Sequence, residues 1–231
     1  MLDITGLCAR YGTTQVLFDV DVSVPRKGIV CLLGRNGAGK TTLLDAVMGV
    51  RPASAGTIRL DGADVTRWPP HRRASSGIAY VPQGQTTFPQ LTVRENLQVV
   101  LESCATRRRG AVDDVIDTFP VLATILDRPA GLLSGGQRQQ LAMGRALVVD
   151  PRILLLDEPT EGIQPSVVQH IARAIVALHA DRGVTVLLAE QAVDFALAIS
   201  DRYAVLDAGR LIEEGSCAEM DVDRLHEALA I

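Results

Sequence analysis

The sequence predicts a single α/β domain with an N-terminal β portion and a helical insertion, on three observations. A short β-branched apolar run at residues 29–33 passes directly into Gly34-Arg35-Asn36-Gly37-Ala38-Gly39-Lys40-Thr41, and helical apolar spacing follows. A second apolar run, residues 153–156, lacks alternation, as a central parallel strand does, and ends in Asp157-Glu158-Pro159. Between the two, residues 90–150 carry helical spacing and two capping signals. The 231 residues therefore divide into a core plus β portion at 1–89 and 151–231, with 90–150 inserted.

Leu2, Ile4 and Leu7 mark a first strand, and residues 16–24, with Val20, Val22 and Val24 alternating, mark a second. Tyr11-Gly12 is the turn between them; Tyr11 is either a core aromatic or a surface ring that stacks on a ligand's base. After the strand at 29–33, Leu43, Leu44, Val47 and Met48 form the apolar face of a helix, which ends by residues 51–56. Residues 57–60 read as a strand entering a tight Asp61-Gly62 turn, and Pro69-Pro70 breaks the next piece. Residues 77–81 are a strand that ends at Pro82-Gln83-Gly84. Gln83 is either a turn residue or an amide placed to touch Mg²⁺ or water.

In the insertion, Thr92 and Glu95 form a capping box for a helix to about Ser103, and helical or loop character continues through residues 112–126. Ser134 and Gln137 repeat the capping pattern for a helix carrying Leu141, Met143, Ala146 and Leu147, stopped by Asp150-Pro151. Beyond the strand at 153–156, residues 165–180 are an amphipathic helix (Val168, Ile171, Ile175, Leu178) ended at Asp181-Arg182-Gly183. Residues 184–189 form a buried strand, 193–199 a helix, 203–206 and 211–212 strands about an Asp207-Ala208-Gly209 turn, and 222–229 a last helix.

The loop fits G-x-x-x-x-G-K-[ST] at every fixed position and sits between a strand and a helix N-terminus, where an anion is favoured. Gly34, Gly37 and Gly39 are expected to take positive φ and let the backbone approach a phosphate. Lys40 supplies charge to the outer phosphates, and Thr41 can ligate Mg²⁺. Residues 34–41 with Thr42 are the candidate nucleotide ligands. Asp157 and Glu158, at a strand's carboxyl end, are expected beside them. Asp157 would hold Mg²⁺ through water and Glu158 would orient or deprotonate the attacking water; a surface turn of two acids is the plainer alternative.

Nearly half the residues are apolar, yet no run approaches the ~18 that cross a bilayer, and Asp3 and Arg10 interrupt any N-terminal signal pattern. The expectation is a soluble, cytoplasmic chain. A net charge of −4, with four Phe, three Tyr and one Trp, offers neither an electrostatic footprint nor a stacking platform for nucleic acid. Cys8, Cys31, Cys104 and Cys217 lie far apart without a C-x-x-C pair, which favours reduced thiols over a metal cluster. Arg107-Arg108-Arg109 reads as a solvated loop or as a contact to lipid headgroups or a partner.

The run Leu133-Ser134-Gly135-Gly136-Gln137, upstream of residues 153–160 and combined with Gln83 after its strand, resembles the ATP-binding subunits of ABC transporters over essentially the whole chain. The resemblance implies an ABC ATPase core of the P-loop NTPase class, with an N-terminal antiparallel β subdomain and an inserted helical subdomain. It implies ATP and Mg²⁺ as cofactors, and hydrolysis coupled to solute import. It assigns Tyr11 to adenine stacking, and Gln83 to sensing Mg²⁺ and water and facing the membrane subunit. Ser134, Gly135, Gly136 and Gln137 match the signature that meets the γ-phosphate of ATP held by the opposite subunit of a head-to-tail dimer.

Two positions depart from the family pattern. Gln191, preceded by Glu190, stands where most members have a histidine γ-phosphate sensor, and Gln164 where an aspartate is usual. Glutamine cannot become a cation but still donates and accepts hydrogen bonds. Gln191 resembles the importer branch for branched-chain amino acids and urea. Within it, Gln83, residues 157–166, Glu190-Gln191 and Asp201-Arg202-Tyr203 look like the urea importer's second ATPase subunit, whereas the amino-acid version usually has Glu at position 83. The implied partners are a sister ATPase subunit, two integral-membrane permeases and, indirectly, a periplasmic binding protein, at the cytoplasmic face of the inner membrane. A soluble ABC protein of DNA repair or translation, and a nucleotide-gated module with little turnover, are the competing readings.

Overall fold

The computed structural model describes residues 1–103, 108–220 and 225. Strand β1 (Leu2–Tyr11) pairs antiparallel with β2 (Thr14–Val24), and Tyr11 meets Thr14 at the turn. Strand β3 (Ile29–Leu33) is buried throughout and delivers the chain through the phosphate loop to α1 (Lys40–Met48). Strand β4 (Ala53–Leu60) lies antiparallel on the other side of β1, and β5 (Ala63–Asp64) completes a four-stranded sheet. After α2 (Pro70–Ser75) and β6 (Ile78–Val81) come α3 (Val93–Glu102), α4 (Ala111–Thr118), a 3₁₀ segment at Pro120–Ile125, and α5 (Gly135–Leu147). The remainder is β7 (Ile153–Asp157), α6 (Pro165–Arg182), β8 (Thr185–Glu190), α7 (Val193–Ile199), β9 (Arg202–Asp207) and β10 (Arg210–Ser216).

The second sheet has the order β10-β9-β3-β8-β7-β6, parallel except for the β9–β10 hairpin. Its central strands are buried on both faces, which is why they read as unbroken apolar runs. The pleat splits each strand between two cores. Ile29, Cys31 and Leu33 face a core built from the helices α3 to α7, while Val30 and Leu32 face one shared by α1 and the antiparallel sheet. The carboxyl ends of β3, β7 and β8 therefore finish side by side, with Leu33 opposite Glu190 and Asp157 opposite Ala189.

Both capping boxes form. Thr92 accepts from the Glu95 N–H, Ser134 accepts from the Gln137 N–H, and each partner side chain reaches back to the cap. Elsewhere the boundaries shift. Pro69-Pro70 does not break the chain: Pro70 opens α2, where a proline lacks only an N–H that has no helical partner. β4 begins at Ala53 and β10 runs from Arg210 to Ser216, because backbone pairing with β1 and β9 extends strands beyond their apolar stretches. The expected last helix at 222–229 lies outside the described residues apart from Leu225, as do Cys104 and Arg107.

Arg73 is buried to 2% exposure in α2 and has no carboxylate partner among the described residues. Its guanidinium donates instead to the carbonyls of Ala46 and Val47 at 2.7 Å, the last turn of α1, and to Thr66 and Trp68. A cation beside the carbonyls of a helix's last turn is favoured by the helix dipole.

Candidate functional site

The phosphate loop is shaped by two kinds of glycine. Gly37 and Gly39 take positive φ, 83° and 109°, and Gly39 caps α1. Gly34 does not, contrary to the sequence expectation: a Cβ there would lie 2.5 Å from the Leu206 carbonyl oxygen, so close approach to β9 requires the glycine. Gly209 donates its N–H to the Ala38 carbonyl at 2.9 Å and bolts the loop to the β9–β10 turn.

Lys40 is buried. Its Nζ donates to the carbonyls of Gly34 and Arg35 at 2.7 and 3.1 Å and pairs with Glu158 Oε1 at 2.9 Å. Glu158, expected beside the loop, thus touches its lysine directly. Glu158 stands on left-handed backbone, φ 47°, and its N–H donates to Ala189 O on β8 at 2.9 Å. That rare conformation turns its side chain back over the loop. Gln83, exposed, donates Nε2 to Glu158 Oε2 at 3.1 Å and to Glu161 Oε2 at 2.7 Å.

Asp157 is almost wholly buried at the end of β7. Burial pushes its carboxyl above the usual range, the Thr41 hydroxyl pulls it down, and neighbouring Glu158 pushes it up. Tyr80 Oη lies 3.4 Å from Asp157 Oδ2 and 3.3 Å from Asp45 Oδ1, and can donate to only one of them at a time. Asp157 Oδ1 has no hydrogen-bond partner among the described residues. An orphaned, buried carboxylate oxygen on a residue that the Thr41 hydroxyl bonds is a hard oxygen set that suits Mg²⁺ completed by substrate phosphates and water. The residues present fit that ion.

Tyr11 is exposed, not a core aromatic. One ring face lies under the Arg51 guanidinium, 3.4 Å from the centroid, and Thr42 Oγ1 is 3.5 Å from the phenol oxygen. The ring is therefore tethered to the residue that follows the loop's Lys40-Thr41. Arg35 and Asn36 lie on the exposed rim of the loop and Ala38 is buried beneath it. Gln191 is exposed just past β8, and the residue the sequence reading passed over is its neighbour, Glu190. That carboxylate is buried and accepts from Thr160 Oγ1 at 2.7 Å, Thr160 N at 3.2 Å, Gln191 N at 3.2 Å and Ala192 N at 3.4 Å. It ties the turn after Glu158 to the turn carrying Gln191. Burial raises its pKa and those hydrogen bonds offset part of the rise. An acid ending a buried strand was the signal for it.

The signature lies elsewhere in the chain. Ser134 caps α5, and no hydrogen bond among the described residues joins 134–137 to 34–42. The link is indirect: Gln85, two residues beyond Gln83, accepts from Arg138 Nε at 3.3 Å and lies against Gly135. Gln164 is the N-cap position of α6, but its side chain makes no capping bond.

Such a site can bind a triphosphate and present a carboxylate to water, and comparisons with known proteins agree. Residues 17–161 match the family model described as "ABC transporter". A probable branched-chain amino acid transport ATP-binding protein of Archaeoglobus fulgidus is 40% identical over 95% of this chain and 94% of its own length. The lipopolysaccharide export system ATP-binding protein of Haemophilus influenzae is 38% identical over 94% and 90%. Among solved structures, a nucleotide-free ATP-binding cassette from an ABC transporter is 26% identical, with TM-score 0.84 over 94% and 91% of the two chains. The chain belongs to the ABC transporter family, and it is an ATP-binding subunit that hydrolyses ATP, with Mg²⁺, to drive transport.

Proposed function

We propose that this chain is one of a pair of ATPase subunits docked under two integral-membrane permeases of an importer in the branched-chain amino acid and urea branch, with urea as cargo. The observation that carries the motor role is the chain of contacts Lys40–Glu158–Gln83 beside the unpaired Asp157 oxygen. Urea is favoured by Gln83, Gln191 and residues 157–166, which look like the urea importer's second subunit. A branched-chain amino acid cargo is the second reading, favoured by the 40% identical relative. In either case the subunit works at the cytoplasmic face, and a periplasmic binding protein delivers the solute to the permeases.

In this reading residues 34–42 cradle the phosphates, Tyr11 stacks on adenine, and Lys40 exchanges Glu158 for phosphate oxygens. Glu158, released, accepts a proton from the attacking water at its carboxylate. Thr41, Asp157 and Gln83 would hold Mg²⁺, which would supply neutralisation of charge on the phosphate oxygens. Gln191 offers a neutral hydrogen bond to the γ-phosphate. Ser134, Gly135, Gly136 and Gln137 serve the nucleotide of the opposite subunit in a head-to-tail dimer. The test is reconstitution of the purified chain with its permeases and sister subunit in vesicles. ATP-dependent uptake of labelled urea supports the first reading, uptake of leucine the second, and uptake of neither removes both.

A further inference from the structure

The Gln83 amide is held by two carboxylates, and the shorter hydrogen bond goes to the one without an assigned role. Nε2 lies 2.7 Å from Glu161 Oε2 and 3.1 Å from Glu158 Oε2. Both partners are acceptors only, so it must be the amide nitrogen that faces them. An amide nitrogen carries two N–H groups. One to each acid uses both, which fixes the amide plane and leaves Oε1, the group's acceptor, free of either carboxylate. The Glu161 N–H donates to the Glu158 carbonyl at 3.2 Å, which sets both acids on one tight turn. Among the described residues its carboxylate has no cationic partner.

We propose that Glu161 is a positioning residue that holds the Gln83 amide with its oxygen turned to Mg²⁺ or water. The inference rests on the roles of Gln83 and Glu158 proposed above. Glu158 alone cannot serve: its other oxygen faces Lys40, and a base that moves to a water must loosen its grip on Gln83. Glu161 keeps the amide oriented while Glu158 changes partner.

Glu161→Ala, Glu161→Gln, Gln83→Ala and the Glu161→Ala/Gln83→Ala pair test this in the purified chain. The Gln83 side-chain ¹H–¹⁵N signals, identified by their loss in Gln83→Ala, read the contact without nucleotide. They shift in Glu161→Ala and stay near their place in Glu161→Gln, whose carbonyl oxygen still accepts. With ATP, Glu161→Ala raises the half-saturating Mg²⁺ concentration about tenfold, and the double variant is no worse than Gln83→Ala. Unmoved signals in Glu161→Ala, an effect undiminished in the Gln83→Ala background, or Glu161→Gln behaving like Glu161→Ala each overturn the proposal. If Gln83→Ala itself hydrolyses ATP with unchanged Mg²⁺ dependence, the role given to Gln83 fails instead, and the amide signals still report whether Glu161 holds it.

Discussion

Lys40 and Glu158 form a buried ion pair, 2.9 Å between Nζ and Oε1, that joins the phosphate loop to the end of β7. The two partners are not equivalent. Lys40 has the Gly34 and Arg35 carbonyls as further acceptors, whereas Glu158, among the described residues, has Gln83 as its one further side-chain donor. Removing the lysine therefore strands a buried carboxylate. Lys40→Ala is expected to destabilise the nucleotide-free chain by about 3 kcal/mol, and Glu158→Gln by clearly less, as measured by urea unfolding without nucleotide.

The same pair separates binding from turnover. Glu158→Gln loses the base, so ATP hydrolysis falls by roughly 100- to 10,000-fold. Nucleotide affinity is retained or rises, because Lys40 no longer has to leave a carboxylate. Phosphate release and equilibrium binding of a fluorescent nucleotide, on one preparation, check both halves.

Asp157 and Glu190 both have folded-state pKa values raised by burial. A folded state that holds its protons more tightly than the unfolded one loses stability as pH rises. Their contribution is fully present below the ordinary carboxylate pKa and is lost as pH climbs through the raised values. The Asp157 share of this slope is expected to vanish in Asp157→Asn, which becomes more stable near neutral pH than the parent while losing Mg²⁺-dependent hydrolysis. Thermal melts from pH 4 to 8 in the absence of Mg²⁺ provide the comparison.

If Tyr11 carries the adenine, Tyr11→Ala weakens nucleotide binding by about 1–3 kcal/mol, and Tyr11→Trp keeps it. Binding measured for ATP and for inorganic triphosphate separates the base from the phosphates: only the former responds.

A Cβ at Gly209 would overlap the Val16 carbonyl oxygen. Gly209→Ala is expected to cost roughly 3 kcal/mol and to weaken nucleotide binding as well, because the same residue bonds Ala38 in the phosphate loop. Denaturant midpoints and nucleotide titration of this variant check both effects.

The loop at 34–41, the acid pair at 157–158 and both capping boxes were legible because each is a local pattern with a fixed spacing. What the sequence hid is long-range. Glu190 joins Thr160 across 30 positions, and Tyr80 reaches Asp157 across 77, contacts that exist only once β6, β7 and β8 are neighbours. Gly34 was legible as a glycine of the loop, but its reason was not, since the Leu206 carbonyl it must accommodate belongs to another strand. The start of β4 was missed because Ala53 to Gly56 owe their strand geometry to hydrogen bonding with β1 and carry little β preference themselves.

Arg73 anchors the end of α1 opposite the phosphate loop. The helix that opens at the loop's Gly39 is anchored at its last turn by a guanidinium that also clasps the strand-to-helix connection at Thr66 and Trp68. The two ends of this nine-residue helix are thus fixed by different partners, the loop at Gly39 and the Arg73 guanidinium at Ala46 and Val47. An anion at the first turn and the Arg73 cation at the last would both complement the dipole of the same helix.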